Sequence, residues 1–245
     1  MKNLVEVKNL KKNYGSKKAV RGISFSIKEN EILGLLGPNG SGKTTTIGML
    51  LGLLKPSNGE ILIDGKKIEE NRIETLQKIN FISPYIELPK KLTVKQNLIV
   101  YCKLYNVSNI KNRIDYLVEK LRLENLLNNV TGELSSGQKN RVSLAKALIN
   151  NPNVLFLDEP TASLDPEIGD YIRSFLENYK KEKKISILLA SHNMNEVTRL
   201  CKTVLMMKEG IIIDKGCPEE LIKKHGRKNL EEVFLKLSRS KNELY

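Results

Sequence analysis

The chain has 245 residues, with 41 Lys and Arg against 28 Asp and Glu, for a net charge of +13. Its length supports one large folded domain or two small ones, and its 40% hydrophobic and 28% charged composition excludes a disordered chain. No stretch reaches the ~18 apolar residues of a spanning helix, MKNLVEVKN lacks a signal-peptide run, and Cys102, Cys201 and Cys217 form no CxxC pair, which argues against a zinc site or disulfide framework and for a reducing cytoplasm.

In chain order, residues 4–7 and 23–27 read as short alternating strands around a turn at 13–16. Residues 31–36 (EILGLL) form a compact apolar run, as in a strand covered on both faces. A glycine-rich loop follows, then the helical run TTTIGMLLGLL. EILI at 60–63 with Asp64-Gly65 predicts a hairpin. From about 93 to 128 the spacing of Ile110, Ile114, Leu117, Val118 and Leu121 is helical, and the pattern continues over 138–149. VLFL at 154–157 and ISILLA at 185–190 read as buried strands with a helix between them. Strands at 203–207 and 211–214 flank Lys208-Glu209-Gly210, and a charged helical tail begins near 218. Strands, helical insert, strands again: this order predicts an α/β core carrying an inserted helical subdomain.

Gly37 to Thr44 (GPNGSGKT) fits G-x-x-x-x-G-K-[ST] between a strand and a helix. Gly37, Gly40 and Gly42 free the backbone so that N–H groups can surround phosphate oxygens, and the helix start adds its positive end. Lys43 is suited to the β/γ-phosphates and the Thr44 hydroxyl to Mg²⁺. The strand VLFL delivers Asp158 and Glu159 to the carboxyl edge of a sheet, the first suited to Mg²⁺ and the second to activating water. Ser135, Ser136 and Gly137 open a helix at Gln138, a second anion-binding end or an ordinary cap. His192 follows the 185–190 strand; His225 sits in a lysine-rich stretch and reads as structural. Tyr14, in a turn, offers a face for stacking.

In this order the elements resemble the ATP-binding subunit of ABC transporters. GPNGSGKT resembles Walker A, VLFLDEP Walker B, LSSGQ (134–138) the ABC signature, Ser163-Leu164-Asp165 the D-loop, His192 the switch histidine, and Tyr14 the adenine-stacking aromatic. The resemblance implies a P-loop NTPase (RecA-like) core with an N-terminal antiparallel β subdomain and an inserted α-helical subdomain. It implies a single cassette over 1–245, with the insert at about 86–150 and a short tail at about 218–245. It implies ATP and Mg²⁺ as ligands, with Pro38, Asn39, Ser41 and Thr45 joining the loop residues at ATP and Thr44 and Asp158 at the metal. Glu159 and His192 become catalytic. Ser135, Ser136, Gly137 and Gln138 meet the ATP of a second copy in a head-to-tail dimer. Transmembrane permease subunits become partners, and the chain is expected on the cytoplasmic face of the cell membrane. Asn229 to Leu237 resembles the ending of drug and lipid export cassettes.

Two positions depart from the family pattern. Ser136 replaces a signature glycine, and Pro84 stands where a glutamine about nine residues before Leu92-Thr93-Val94 is usual. Proline supplies neither a polar side chain nor an N–H. The alternative function is a soluble ATPase of this superfamily acting on nucleic acid or the ribosome, to which the +13 charge lends weight. Against it, no long coiled coil separates Gly37 from Asp158 and the chain carries one cassette. The basic residues are spread along the chain among acids, so no nucleic-acid partner is expected.

Overall fold

The computed structural model describes residues 2–84, 86–162 and 164–239. The chain divides into two compact units, residues 1–75 with 186–245, and residues 76–185.

The first unit opens with β1 (Asn3–Tyr14) and β2 (Lys17–Lys28), a hairpin far longer than the two short strands expected. Val5, Val7 and Leu10 on one strand and Val20, Ile23, Phe25 and Ile27 on the other are buried, so one face belongs to the core. All five residues of β3 (Ile32–Leu36) are buried. The helix α1 (Lys43–Leu50) stops short of the apolar run. Gly52 takes φ +65°, and the N–H groups of Leu53 and Leu54 both return to the Gly48 carbonyl, which ends the helix. β4 (Asn58–Ile63) turns through Asp64-Gly65 into β5 (Lys66–Lys67), completing an antiparallel sheet in the order β2-β1-β4-β5. The short α2 (Arg72–Gln77) follows.

The second unit contains β6 (Ile79–Ile82), α3 (Val94–Leu104), α4 (Ile110–Leu121), α5 (Ser136–Leu148), β7 (Val154–Asp158) and α6 (Pro166–Lys183). The helical spacing read over 110–121 buries Ile114, Leu117, Val118 and Leu121. β6 was not among the expected strands. It pairs in parallel with β7, Phe81 opposite Phe156 and Ile82 opposite Leu157.

The chain returns to the first unit through β8 (Ser186–Ala190), α7 (Met194–Leu200), β9 (Thr203–Lys208), β10 (Ile211–Gly216), α8 (Pro218–His225) and α9 (Leu230–Arg239). β3 lies between β8 and β9, parallel to both, and β10 runs antiparallel beside β9. Segments leaving Leu36 and Ala190 therefore emerge at one carboxyl edge, where open α/β sheets bind ligands. The architecture is mixed α/β, with an antiparallel sheet and a parallel-rich one. Among the described residues no helix is long and apolar enough to cross a membrane.

Candidate functional site

The loop between β3 and α1 is held by its own unit. Ser41 donates its N–H to the Pro38 carbonyl at 3.1 Å, and its carbonyl accepts the Gly210 N–H at 2.9 Å, so the β9–β10 turn braces the loop from below. Gly37 is required by crowding, not by its φ: a Cβ there would stand 2.3 Å from the Met207 carbonyl oxygen. Gly42 is required on both counts, with φ +106° and a Cβ position 2.6 Å from the Ala19 carbonyl oxygen. Gly42 is also the N-cap of α1 and contributes no side-chain hydrogen bond. The helix thus begins without the capping side chain that ordinarily competes for its first N–H groups. Lys43, buried, donates its ammonium to the Gly37 carbonyl at 2.6 Å and the Pro38 carbonyl at 3.2 Å. Among the described residues the buried Ser41 Oγ has no hydrogen-bond partner, and a Cβ on Gly40 would meet only open space. Open space over Gly40, an unused buried hydroxyl and an uncapped helix start fit a phosphate chain.

In the second unit, β7 is buried along its whole length and ends on Asp158. Glu159, the next residue, has φ +54°. A left-handed glutamate is an uncommon and strained conformation that persists where the surroundings enforce it. A cleft of about 330 Å³ within this unit is lined by Pro84, Thr131, Ser136, Asn140, Asp158 and Glu159. The signature segment and the two carboxylates therefore share one cleft.

The start of α5 shows how the two readings of Ser135 combine. Ser135 Oγ accepts the Gln138 N–H at 3.2 Å, and Gln138 Oε1 accepts the Ser135 N–H at 2.9 Å, a complete capping box. Capping uses a lone pair of the serine and leaves its O–H to donate elsewhere. The N–H groups of Ser136 and Gly137 lie in the first turn, outside the helical ladder. Asp165 is likewise a cap: its Oδ1 accepts the Ile168 N–H at 2.9 Å at the start of α6. Asn140 ties α5 to the same region by donating to the Ala162 carbonyl at 3.1 Å.

His192 is exposed between β8 and α7, with Ser191 Oγ accepting the Asn193 N–H at 3.1 Å beneath it. Tyr14 ends β1, is 47% exposed, and has the Lys12 ammonium 5.1 Å from its ring centroid.

The family model of the ABC transporter matches residues 20–162. The Nod factor export ATP-binding protein I of Burkholderia orbicola (strain AU 1054) is 38% identical over 236 residues, covering 94% of this chain and 76% of that protein. The bacitracin transport ATP-binding protein BcrA of Bacillus licheniformis is 37% identical over 234 residues, covering 94% and 75%. The chain belongs to the ABC transporter family. A dimeric bacterial ABC transporter cassette superposes with a TM-score of 0.82 at 27% identity, covering 87% of this chain and 98% of that one. As an ABC ATPase, the protein binds ATP and hydrolyses it in coupling to transport. These relatives lend no support to the alternative of an ATPase acting on nucleic acid or the ribosome.

Within this family frame the Pro84 segment is exposed, in a turn where the Ile86 N–H reaches the Ser83 carbonyl at 3.2 Å. Ser163 of the D-loop and Tyr85 lie outside the described residues. Two side-chain arrangements carry no local mark in the sequence. His225 is structural, as it reads: its Nε2 lies 2.6 Å from Asp214 Oδ2, and Lys224 Nζ lies 2.7 Å from the other oxygen of that buried carboxylate. Lys146, 8% exposed on α5, has no counterpart among the expected site residues. No local pattern marks either, because their partners lie on other elements.

Proposed function

We propose that the chain is a single cassette over residues 1–245, with its helical subdomain at about 86–150 and a helical tail at about 218–245, that powers export through separate transmembrane permease subunits. The uncapped start of α1 beside Lys43 is the observation that carries the ATP site. Gly37, Pro38, Asn39, Gly40, Ser41, Gly42, Lys43, Thr44 and Thr45 surround the phosphates, and Tyr14 stacks on adenine. Thr44 and Asp158 offer the hydroxyl and carboxylate oxygens that a hard cation takes, and Mg²⁺ bound there supplies charge neutralisation on the β- and γ-phosphates. Glu159 accepts a proton from the attacking water, and His192 orients the γ-phosphate end. Ser135, Ser136, Gly137 and Gln138 meet the ATP of a second copy, with Asp165 beside them, so that ATP favours the closed dimer by its differential contacts.

Export is supported by the relatives' names and by the export-type ending at Asn229–Leu237. A permease partner places the chain on the cytoplasmic face of the membrane, where its +13 charge favours an anionic leaflet. The test is Glu159→Gln. Mg²⁺-dependent ATP hydrolysis should nearly vanish while ATP-dependent dimerisation persists. Hydrolysis at the parent rate would remove Glu159 from its role.

A further inference from the structure

Lys146 lies two turns beyond Gln138 on α5, and its ammonium is buried against β6. It donates to Asn80 Oδ1 at 3.3 Å and to the Phe81 carbonyl at 3.1 Å, and it stands over the Phe81 ring at 4.3 Å and the Tyr101 ring at 5.6 Å. Asn80 is itself buried and fully engaged. Its Nδ2 donates to Asn150 Oδ1 at 2.9 Å and its Oδ1 also accepts the Phe81 N–H at 2.9 Å. Asn150 in turn donates to the Gln77 and Ile79 carbonyls. The signature helix is therefore clamped along the length of β6, the strand that runs into Ser83-Pro84. β6 also pairs with β7 one residue before Asp158.

Among the described residues every partner of this ammonium is neutral. From β6 it faces Asn80 and Phe81, and from α3 it faces Tyr101, whose phenol burial keeps in the neutral form. A buried charge held only by neutral dipoles and ring faces is costly, and an apolar side chain of equal length would pack there at less cost. Its use in such a place points to a positional duty.

We propose that Lys146 is a positioning residue for ATP hydrolysis, carrying the position of the signature helix through Phe81 to the Asp158–Glu159 end of β7. This duty rests on the role given above to Glu159 and the signature helix. Movement of α5 when its N-terminus meets a phosphate is delivered to the edge bearing the carboxylates without passing through the missing glutamine at Pro84.

Burial lowers the lysine's pKa to about 8, so the charged clamp weakens as pH rises through that value. The experiment is a steady-state ATPase profile of the full chain from pH 6.5 to 9.5 for the parent, Lys146→Arg and Lys146→Met. Lys146→Arg keeps a permanent charge, and Lys146→Met keeps length without charge. The parent rate should fall by about tenfold between pH 7 and pH 9, as a group of that pKa loses its proton. Lys146→Arg should retain its rate at pH 9. Lys146→Met should be slow at every pH, with kcat reduced and KM within about twofold. Alkaline limbs of equal size in the parent and Lys146→Arg overturn the proposal, whether or not Lys146→Met folds. The Glu159→Gln test fails or succeeds independently of these profiles.

Discussion

The ammonium of Lys43 lies 2.6 Å from the carbonyl oxygen of Gly37, six residues back along the same loop. The loop thereby closes on itself around a buried cation, and the lysine contributes to loop integrity as well as to phosphate binding. Lys43→Ala should lower ATP affinity by more than tenfold, read by calorimetric titration. It should also cost about 1–2 kcal/mol of folding stability through the buried Gly37 carbonyl it leaves unmatched. Undiminished stability would mean that the 2.6 Å contact is dispensable to the loop.

Glu159 offers a test in which function and stability move in opposite directions. Its φ of +54° strains any residue with a Cβ. Glu159→Gly should abolish hydrolysis while gaining about 1 kcal/mol over Glu159→Ala in denaturant unfolding, because glycine relieves the strain that alanine keeps. Equal stability of the two variants would show that the backbone relaxes without help.

Ser135 carries a cap and a proposed anion contact, and the two can be separated chemically. Ser135→Ala should lose about 1 kcal/mol through the broken capping box. Ser135→Asp should keep the cap and the melting temperature, since aspartate is a good N-cap. Its charge should nevertheless oppose a phosphate arriving from a second copy. ATP-driven dimerisation in the Glu159→Gln background, followed by size-exclusion chromatography, should fail in Ser135→Asp. Dimerisation at the parental ATP concentration would leave Ser135 a cap alone.

Much of this was legible in the residue order. The strand, loop and helix around Gly37–Thr44 and the strand ending at Asp158 are local patterns, and both form as the sequence predicts. β6 was missed because Asn80 interrupts a four-residue run. That amide is tolerated in the core only because Lys146 and Asn150, some seventy residues away, satisfy it. The left-handed turn at Glu159 was likewise invisible, since a glutamate in sequence carries no sign of its φ.

Acid should loosen the C-terminal helices. Burial alone would raise the Asp214 pKa, but hydrogen bonds from Lys224, His225 and the Lys215 N–H outweigh it and hold the carboxyl below its ordinary 3.8. A carboxyl depressed in the folded state contributes stability above pH 3.8, and that contribution is lost as pH falls through the lower, folded value. Asp214→Asn should therefore be less stable at neutral pH. It should also show a shallower loss of stability below pH 4 in denaturant titrations. Parallel pH curves for the two proteins would remove Asp214 from acid sensitivity.

The cluster on Asp214 has a bearing on how the chain can be shortened. Lys236 Nζ reaches the His225 carbonyl at 3.3 Å, so α9 is fastened to the end of α8, and α8 to β10. A chain cut after Gly216 would discard Lys224 and His225 and strip the Asp214 carboxylate, on the edge strand β10, of both its side-chain partners. A chain cut after His225 would spare the carboxylate's partners but surrender the outer fastening and the buried Leu230 and Val233 of α9. The boundary of the minimal folding unit therefore falls beyond His225, inside a segment whose charged sequence looks dispensable.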